Sequence, residues 1–226
     1  MLGPLRRALF LSAPAALLLV LRQRASCTMP RKQETSAMIE LKAGRLRCEI
    51  APELGGCIVG LWLDDIPVLR TTPAATLTSA RQSGCYPLVP FSNRIGQASL
   101  VWQGTQHPLV RNNGDEPHAI HGVGWQRAWS ELDSDATSAM LAYEHRPDAS
   151  WPFAFDCSHT FRLSPRGLEM TLALTNQSDR PAPAGLGWHP WFNKRPGSHI
   201  AFRATGRWEM GPDKLPTVRT PSQGED

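Results

Sequence analysis

From Ile39 onward, apolar and polar residues alternate in short runs that are broken by turn-forming residues. Ile39 and Leu41, then Leu46, Cys48 and Ile50, alternate on either side of Ala43-Gly44, which predicts a hairpin. Ile58 to Trp62 and Ile66 to Leu69 flank Asp64-Asp65 in the same way. The clearest signal lies between Phe153 and Thr175. Phe153, Phe155, Cys157, His159, Phe161 and Leu163 fall on one face. Ser164-Pro165-Arg166-Gly167 turns the chain, and Leu168, Met170, Leu172 and Leu174 share one face of the return. A period of two puts alternate side chains on one side of a pleated strand, so each arm can bury one face. No window sustains a 3.6-residue period, apart from an apolar run near the N-terminus. The 20 Pro and 18 Gly punctuate the chain at strand spacing. The pattern predicts an all-β domain, a large antiparallel β-sandwich. No internal repeat is visible, and the Pro-rich stretch from Arg180 to Ala184 reads as a connection within the domain.

The first 37 residues stand apart. Arg6-Arg7 precede an apolar run from Ala8 to Leu21, interrupted by Ser12 and Pro14. This is the layout of a secretory signal and is too short for a stable membrane span. The run ends in Arg22-Gln23-Arg24, and the small-x-small site nearest to it is Ala25-Ser26-Cys27. Met29 and Met38 offer alternative starts. Residues 1–37 are therefore an N-terminal extension, either a leader or upstream sequence, and residues 38–226 form the sandwich domain. The expected location is cytoplasmic, or secreted or periplasmic if the extension is a true signal.

Composition narrows the function classes. With 226 residues, 41% hydrophobic and 19% charged, the chain is globular in class, outside both disorder and membrane bundles. Much of the net charge of +4 comes from Arg6, Arg7, Arg22, Arg24, Arg31 and Lys32. The remainder is close to neutral, so no nucleic-acid partner is expected. Five Cys are scattered without a CxxC pair or a zinc-finger His, consistent with reduced, buried thiols. Eight Trp against two Tyr is unusual. Indole faces match sugar C–H faces, and they also fill β cores.

Nucleotide loops, the GxSxG elbow and HExxH are absent. His118 and His121 have no useful carboxylate or Cys beside them, so no metal is expected. Three polar islands remain in Pro/Gly-bounded loops. In Tyr86-Pro-Leu-Val-Pro-Phe-Ser-Asn-Arg-Ile-Gly96, the pair Asn93-Arg94 offers rigidly held donors, or an arginine paired with a structural carboxylate. In the second, Asn112 to Trp129, His118, His121 and Trp125 lie amid Gly122 and Gly124; these are ligand-facing groups or an ordinary turn. In Gly185-Leu-Gly-Trp-His-Pro-Trp-Phe192, His189 lies between two Trp and before Pro190. An imidazole in an aromatic wall is desolvated, which lowers its pKa; the alternative is a satisfied core histidine.

The order PLVPFSNRIG, PHAIHGVGW, GLGWHPWF resembles the aldose 1-epimerase (galactose mutarotase) family over about Ile39 to Thr220. The resemblance implies a large antiparallel β-sandwich that interconverts α and β anomers of free aldohexoses with no cofactor and a small-molecule sugar as its partner. It implies that Asn93 and Arg94 bind the sugar, that His121 contacts it, and that His189 donates a proton to the ring oxygen. Ser92 stands where many members carry Ala, and Trp191 where many carry Tyr. The family's base is a Glu near the C-terminus, with a sugar-binding Asp upstream of it, and this chain ends before either. Lys214-Leu-Pro216 resembles the stretch preceding them, with Val218 where Gly is usual, and Arg219 to Asp226 reads as a polar tail. The expectation is a C-terminally incomplete sandwich with impaired activity. The alternatives are a non-catalytic carbohydrate-binding protein or fragment and, below it, a hexose-6-phosphate 1-epimerase, whose usual motifs differ and for which no added Arg cluster is visible.

Overall fold

The computed structural model describes residues 38–224, which form two compact units, 38–194 and 195–224. The expectations for residues 1–37, their leader-like run included, lie outside the described residues.

In the larger unit the strands are β1 (Ile39–Ala43), β2 (Leu46–Ala51), β3 (Cys57–Leu63), β4 (Ile66–Pro67), β5 (Cys85–Leu88), β6 (Arg94–Ile95) and β7 (Ser99–Trp102). They continue as β8 (Thr105–Pro108), β9 (Ala119–Ile120), β10 (Ser130–Ser134), β11 (Ser138–His145), β12 (Phe155–Ser164), β13 (Gly167–Asn176) and β14 (Gly187–Pro190). One sheet runs β1-β2-β3-β5-β14, with β4 beside β3, and a second runs β10-β11-β12-β13. Every named pairing is antiparallel, including the short ladders β6–β9 and β7–β8. The all-β sandwich expected from the alternation is what forms.

The hairpin β12–β13 keeps an uninterrupted register from Phe155↔Asn176 to Ser164↔Gly167. Phe155, Cys157, His159, Phe161 and Leu163 are all buried, as period two requires. Leu172 and Leu174 are buried on the return, while Leu168 and Met170 are half-buried at its edge. Apolar faces of both sheets meet in one core: Leu41, Cys48, Ile50 and Ile58 from one side, Leu141, Phe161 and Leu174 from the other, with Trp129, Trp151 and Phe153 filling between. Two backbone bonds tie the β10–β11 turn to both layers, Lys42 N–H to the Ala136 carbonyl (2.7 Å) and Leu163 N–H to the Thr137 carbonyl (2.7 Å). Cys48, Cys57, Cys85 and Cys157 are buried free thiols, and burial pushes Cys48 and Cys85 up to about 12.

The smaller unit corrects one expectation. Its strands β15 (Arg207–Met210) and β16 (Pro216–Thr220) pair antiparallel, so Arg219 and Thr220 belong to a strand and not to a tail. Thr217, Val218 and Thr220 are β-branched, and Gly211-Pro-Asp-Lys214 makes the turn, with Gly211 N–H bonded to the Leu215 carbonyl (2.9 Å). Trp208, Met210 and Val218 are exposed.

Candidate active site

Strand β14 pairs with β5 so that His189 lies opposite Tyr86. Side chains opposite one another share a face, and His189 stacks on Tyr86 with ring centroids 4.9 Å apart and planes at 14°. Two residues on, Trp191 points the same way and also stacks on His189, at 5.0 Å and 25°. His189 therefore stacks on two rings, but these are not its two neighbouring tryptophans. Trp188 faces the core, where its Nε1–H donates to His159 Nε2 at 3.1 Å. The strand's alternation separates Trp188 from His189, and pairing with β5 supplies Tyr86 instead.

His121 arrives from the second island. The ladder β6–β9 pairs Arg94 with Ile120. The Asn93 carbonyl accepts from His121 N–H (2.9 Å). His121 follows β9 in a left-handed backbone (φ 63°), which turns its ring out of the ladder. Gly122 also has positive φ (69°), and a Cβ there would be driven into the Val89 carbonyl, so this position requires glycine. Val123 and Gly124 N–H both donate to that carbonyl (2.7 and 3.0 Å). Asn112 braces the loop from below: its Nδ2 donates to the Ile120 and Gly122 carbonyls (2.8 and 3.0 Å), and its Oδ1 accepts from Ile120 N–H (2.8 Å).

The result places the His121 and His189 rings 5.4 Å apart at 75°. Tyr86 also meets the edge of His121 (6.2 Å) and tilts against Trp125 (5.9 Å). The Nδ1 atoms of both histidines and Nε1 of Trp125 are buried without a hydrogen-bond partner. Three unpaired polar atoms among aromatic faces suit a ligand that is apolar on its faces and polar at its edges. Burial lowers both imidazoles: His121 falls from 6.5 to about 4, with the His189, Arg94 and Arg81 charges adding to the effect and Glu116 opposing it. His189 is lowered for the same first reason, with its own backbone opposing the shift and the Arg70 and Arg81 charges adding to it.

Arg94 shows the carboxylate pairing that its motif left open. Its Nε and Nη2 donate to the two Glu116 carboxylate oxygens (3.1 and 3.2 Å), a fork-to-fork pair, while its charge acts on His121. Asn93 is exposed beside it. His118 is a buried structural group that accepts from Gln97 N–H at Nδ1 (3.0 Å), on the far side of β9 from His121. No metal-ligating cluster exists among the described residues.

The islands of the sequence thus converge, but several of the site's residues lay outside them or unremarked within them. Tyr86, Glu116 and Asn112 sit inside the islands and act through register or loop bracing. Arg70 and Arg81 come from elsewhere. The Arg70 guanidinium lies 4.5 Å over the Trp191 ring and the Arg81 guanidinium 5.9 Å from the Trp125 ring. A cluster of arginines, which the motifs did not reveal, therefore surrounds the histidine pair.

The family model for aldose 1-epimerase matches residues 37–225. The chain is 37% identical over 168 residues to the uncharacterized protein YphB of Escherichia coli strain K12, a match covering 74% of this chain and 56% of YphB. A candidate aldose 1-epimerase of known structure from Escherichia coli K12 superimposes with a TM-score of 0.76 at 32% identity, covering 84% of this chain and 66% of that one. A galactose mutarotase-like protein from Clostridium acetobutylicum shares the fold at a TM-score of 0.67 and 21% identity, covering 81% and 61%. The chain spans between 56% and 66% of the length of these relatives. With its motifs, its sandwich and its paired histidines, the chain belongs to the aldose 1-epimerase family.

Proposed function

We propose that this site binds a free aldose and interconverts its α and β anomers. The observation that carries the reading is the perpendicular pair His121–His189, 5.4 Å apart, each with an unpaired Nδ1, beneath an aromatic wall. Anomer exchange removes the proton of the C1 hydroxyl, breaks the C1–O5 bond to give an aldehyde, and puts a proton on O5. Rotation about C1–C2 and reclosure give the other anomer. One acid and one base must therefore flank the same edge of the ring. His189 serves as the acid towards the ring oxygen. Its two stacking partners hold the imidazole plane, so the proton is delivered in one direction. His121, Arg94 and Asn93 hold hydroxyls and stabilise charge developing on oxygen.

The base is the weaker half of this arrangement. Within residues 38–194, Glu116 is the carboxylate whose charge reaches His121, and Arg94 occupies both its oxygens. A carboxylate whose two oxygens both accept from a guanidinium has less room to accept from a C1 hydroxyl. Loss of general-base help costs about 10²–10⁴-fold in rate, and a slow exchange is expected from the residues described. The same observation favours a second reading, sugar binding without turnover.

Magnetisation-transfer NMR between the anomers of glucose and of galactose, with the 226-residue chain and with His189→Asn, tests both. The proposal expects exchange above the buffer rate that falls at least about 10²-fold in the variant. Binding without exchange would select the second reading. Undiminished exchange in His189→Asn would remove His189 from its role.

A further inference from the structure

The charge around the histidine pair is unbalanced. Arg94 is matched by Glu116, but among the described residues neither Arg70 nor Arg81 forms an ion pair. Arg70 is nonetheless a built group. Its backbone N–H donates to the Trp191 carbonyl (2.8 Å), its Nε and Nη2 donate to the Ser83 carbonyl (3.0 and 2.6 Å), and Nη2 also meets the Arg81 carbonyl. Its plane covers Trp191, and Nη1 is left uncommitted. Asn193 fixes the same corner by donating to the Pro67 and Leu69 carbonyls (3.0 and 2.9 Å). Arg81, more exposed, is held by Asn113 Oδ1 beside Trp125.

Arg70, Trp191, His189 and Tyr86 thus form one continuous stack, and Trp125 carries Arg81 at its other end. Holding a guanidinium rigidly against an aromatic face, with only carbonyls as partners, leaves a positive charge that is partly stripped of water. A neutral aldose gains little from it, because hydroxyls are served equally well by uncharged donors. An anion gains a charge-assisted, forked partner whose orientation is already fixed.

We infer that the sugar preferred by this site carries an anionic substituent, a carboxylate or a phosphate, seated against Arg70 and Arg81 at the rim of the aromatic stack. The inference rests on the reading of the site as a sugar site and names the class of sugar. The aldose ring lies on the histidine pair, and its charged group reaches outward to the arginines. Arg81, at the exposed end, also draws the anion in from solution, an effect that salt weakens.

Tryptophan fluorescence of the whole chain reports the site, since Trp191 and Trp125 line it. Titrations with glucose, glucuronate, glucose 6-phosphate and inorganic phosphate give four arms. At least one anionic sugar should bind about tenfold more tightly than glucose. The arm that does so separates the carboxylate from the phosphate. Arg81→Gln, which alters an exposed side chain, and Arg70→Gln should each cut that preference severalfold. Equal affinity for glucose and both anionic sugars overturns the inference and leaves the sugar-site reading standing. A preference that survives both substitutions overturns the assignment to these arginines. Inorganic phosphate binding as tightly as glucose 6-phosphate would reveal an anion site with no part for the sugar. Saturable binding by none of the sugars brings down the sugar-site reading and the inference together.

Discussion

The two faces of β14 put adjacent residues to opposite uses. On the core side Trp188 donates to His159, which is fully buried and whose Nδ1 faces the Gly56 backbone without closing a hydrogen bond. On the other side His189 stacks on Tyr86 and on Trp191 and meets His121. Burial lowers the pKa of His159 and His189 alike, so a depressed imidazole does not by itself mark a reacting group. What separates them is company. His159 has its Nε2 satisfied and aromatic rings packed round it, Phe161 at 4.0 Å among them. His189 is half-exposed, sits in a stack that a ligand can reach, and has a second histidine across from it. The core face is held by packing and the site face by backbone geometry, and each can be perturbed separately.

The largest effect is expected where the site face depends on a single glycine. Gly122→Ala would push a Cβ into the Val89 carbonyl at a backbone angle that L-residues avoid. Two N–H groups already converge on that carbonyl, so it has little room to move. We expect a loss of at least about 3 kcal/mol in urea unfolding, from strain and from the broken loop contacts together. The His121 loop should shift, and sugar-dependent quenching should vanish. Unchanged binding in the alanine variant would show that the loop is not the rigid support described.

Acid provides the next test, and it acts mainly on the core face. His159 is held at about 3, well below its ordinary 6.5. Between those values the unfolded chain binds a proton that the folded chain refuses. Its contribution is therefore complete above pH 6.5 and is lost as pH falls towards 3, at up to about 1.4 kcal/mol per pH unit. His121 adds in the same direction between 6.5 and about 4, but its partial exposure weakens the effect. Urea midpoints measured at intervals from pH 7.5 down to pH 5 should decline steadily. His159→Phe should flatten the decline. An equally steep decline in that variant would transfer the acid sensitivity to the site histidines.

How much of this was legible in the chain follows the same division. The core face was readable because period two survives along all ten residues of β12, and burial follows it without exception at Phe155, Cys157, His159, Phe161 and Leu163. The motifs likewise marked His121, His189 and Arg94. Their partners were not marked, because partnership here is set across strands. Tyr86 meets His189 only through the β5–β14 register, and Arg70 meets Trp191 only through a backbone bond between segments more than a hundred residues apart. Register is fixed by the pairing of whole sheets, and no local pattern carries it. Glu116 was legible as a carboxylate but not as the partner of Arg94, for the same reason. The hairpin β15–β16 was missed because a short, largely exposed ladder has no buried face to impose alternation.

The smallest effect discriminates most finely, because it uses one residue type on both faces. Trp188→Phe removes the donor to His159 Nε2 and leaves that lone pair buried without a partner. Such a loss costs about 1–2 kcal/mol. Trp191→Phe keeps an aromatic ring beside His189 at a position 41% exposed, and should change stability by less than about 0.5 kcal/mol. The two substitutions should also part in their response to acid. The Trp188 N–H occupies the nitrogen of His159 that a proton would take. Burial, the main cause of the low His159 pKa, persists in Trp188→Phe, so the decline in stability between pH 6.5 and 3 should become only slightly shallower. Trp191→Phe leaves that slope intact and weakens sugar binding instead, by removing the indole under Arg70. Paired urea titrations at pH 7.5 and pH 5 measure both quantities. If the two variants lose equal stability with equal slopes, the faces of β14 are not independent, and the separation of core histidine from site histidine fails with them.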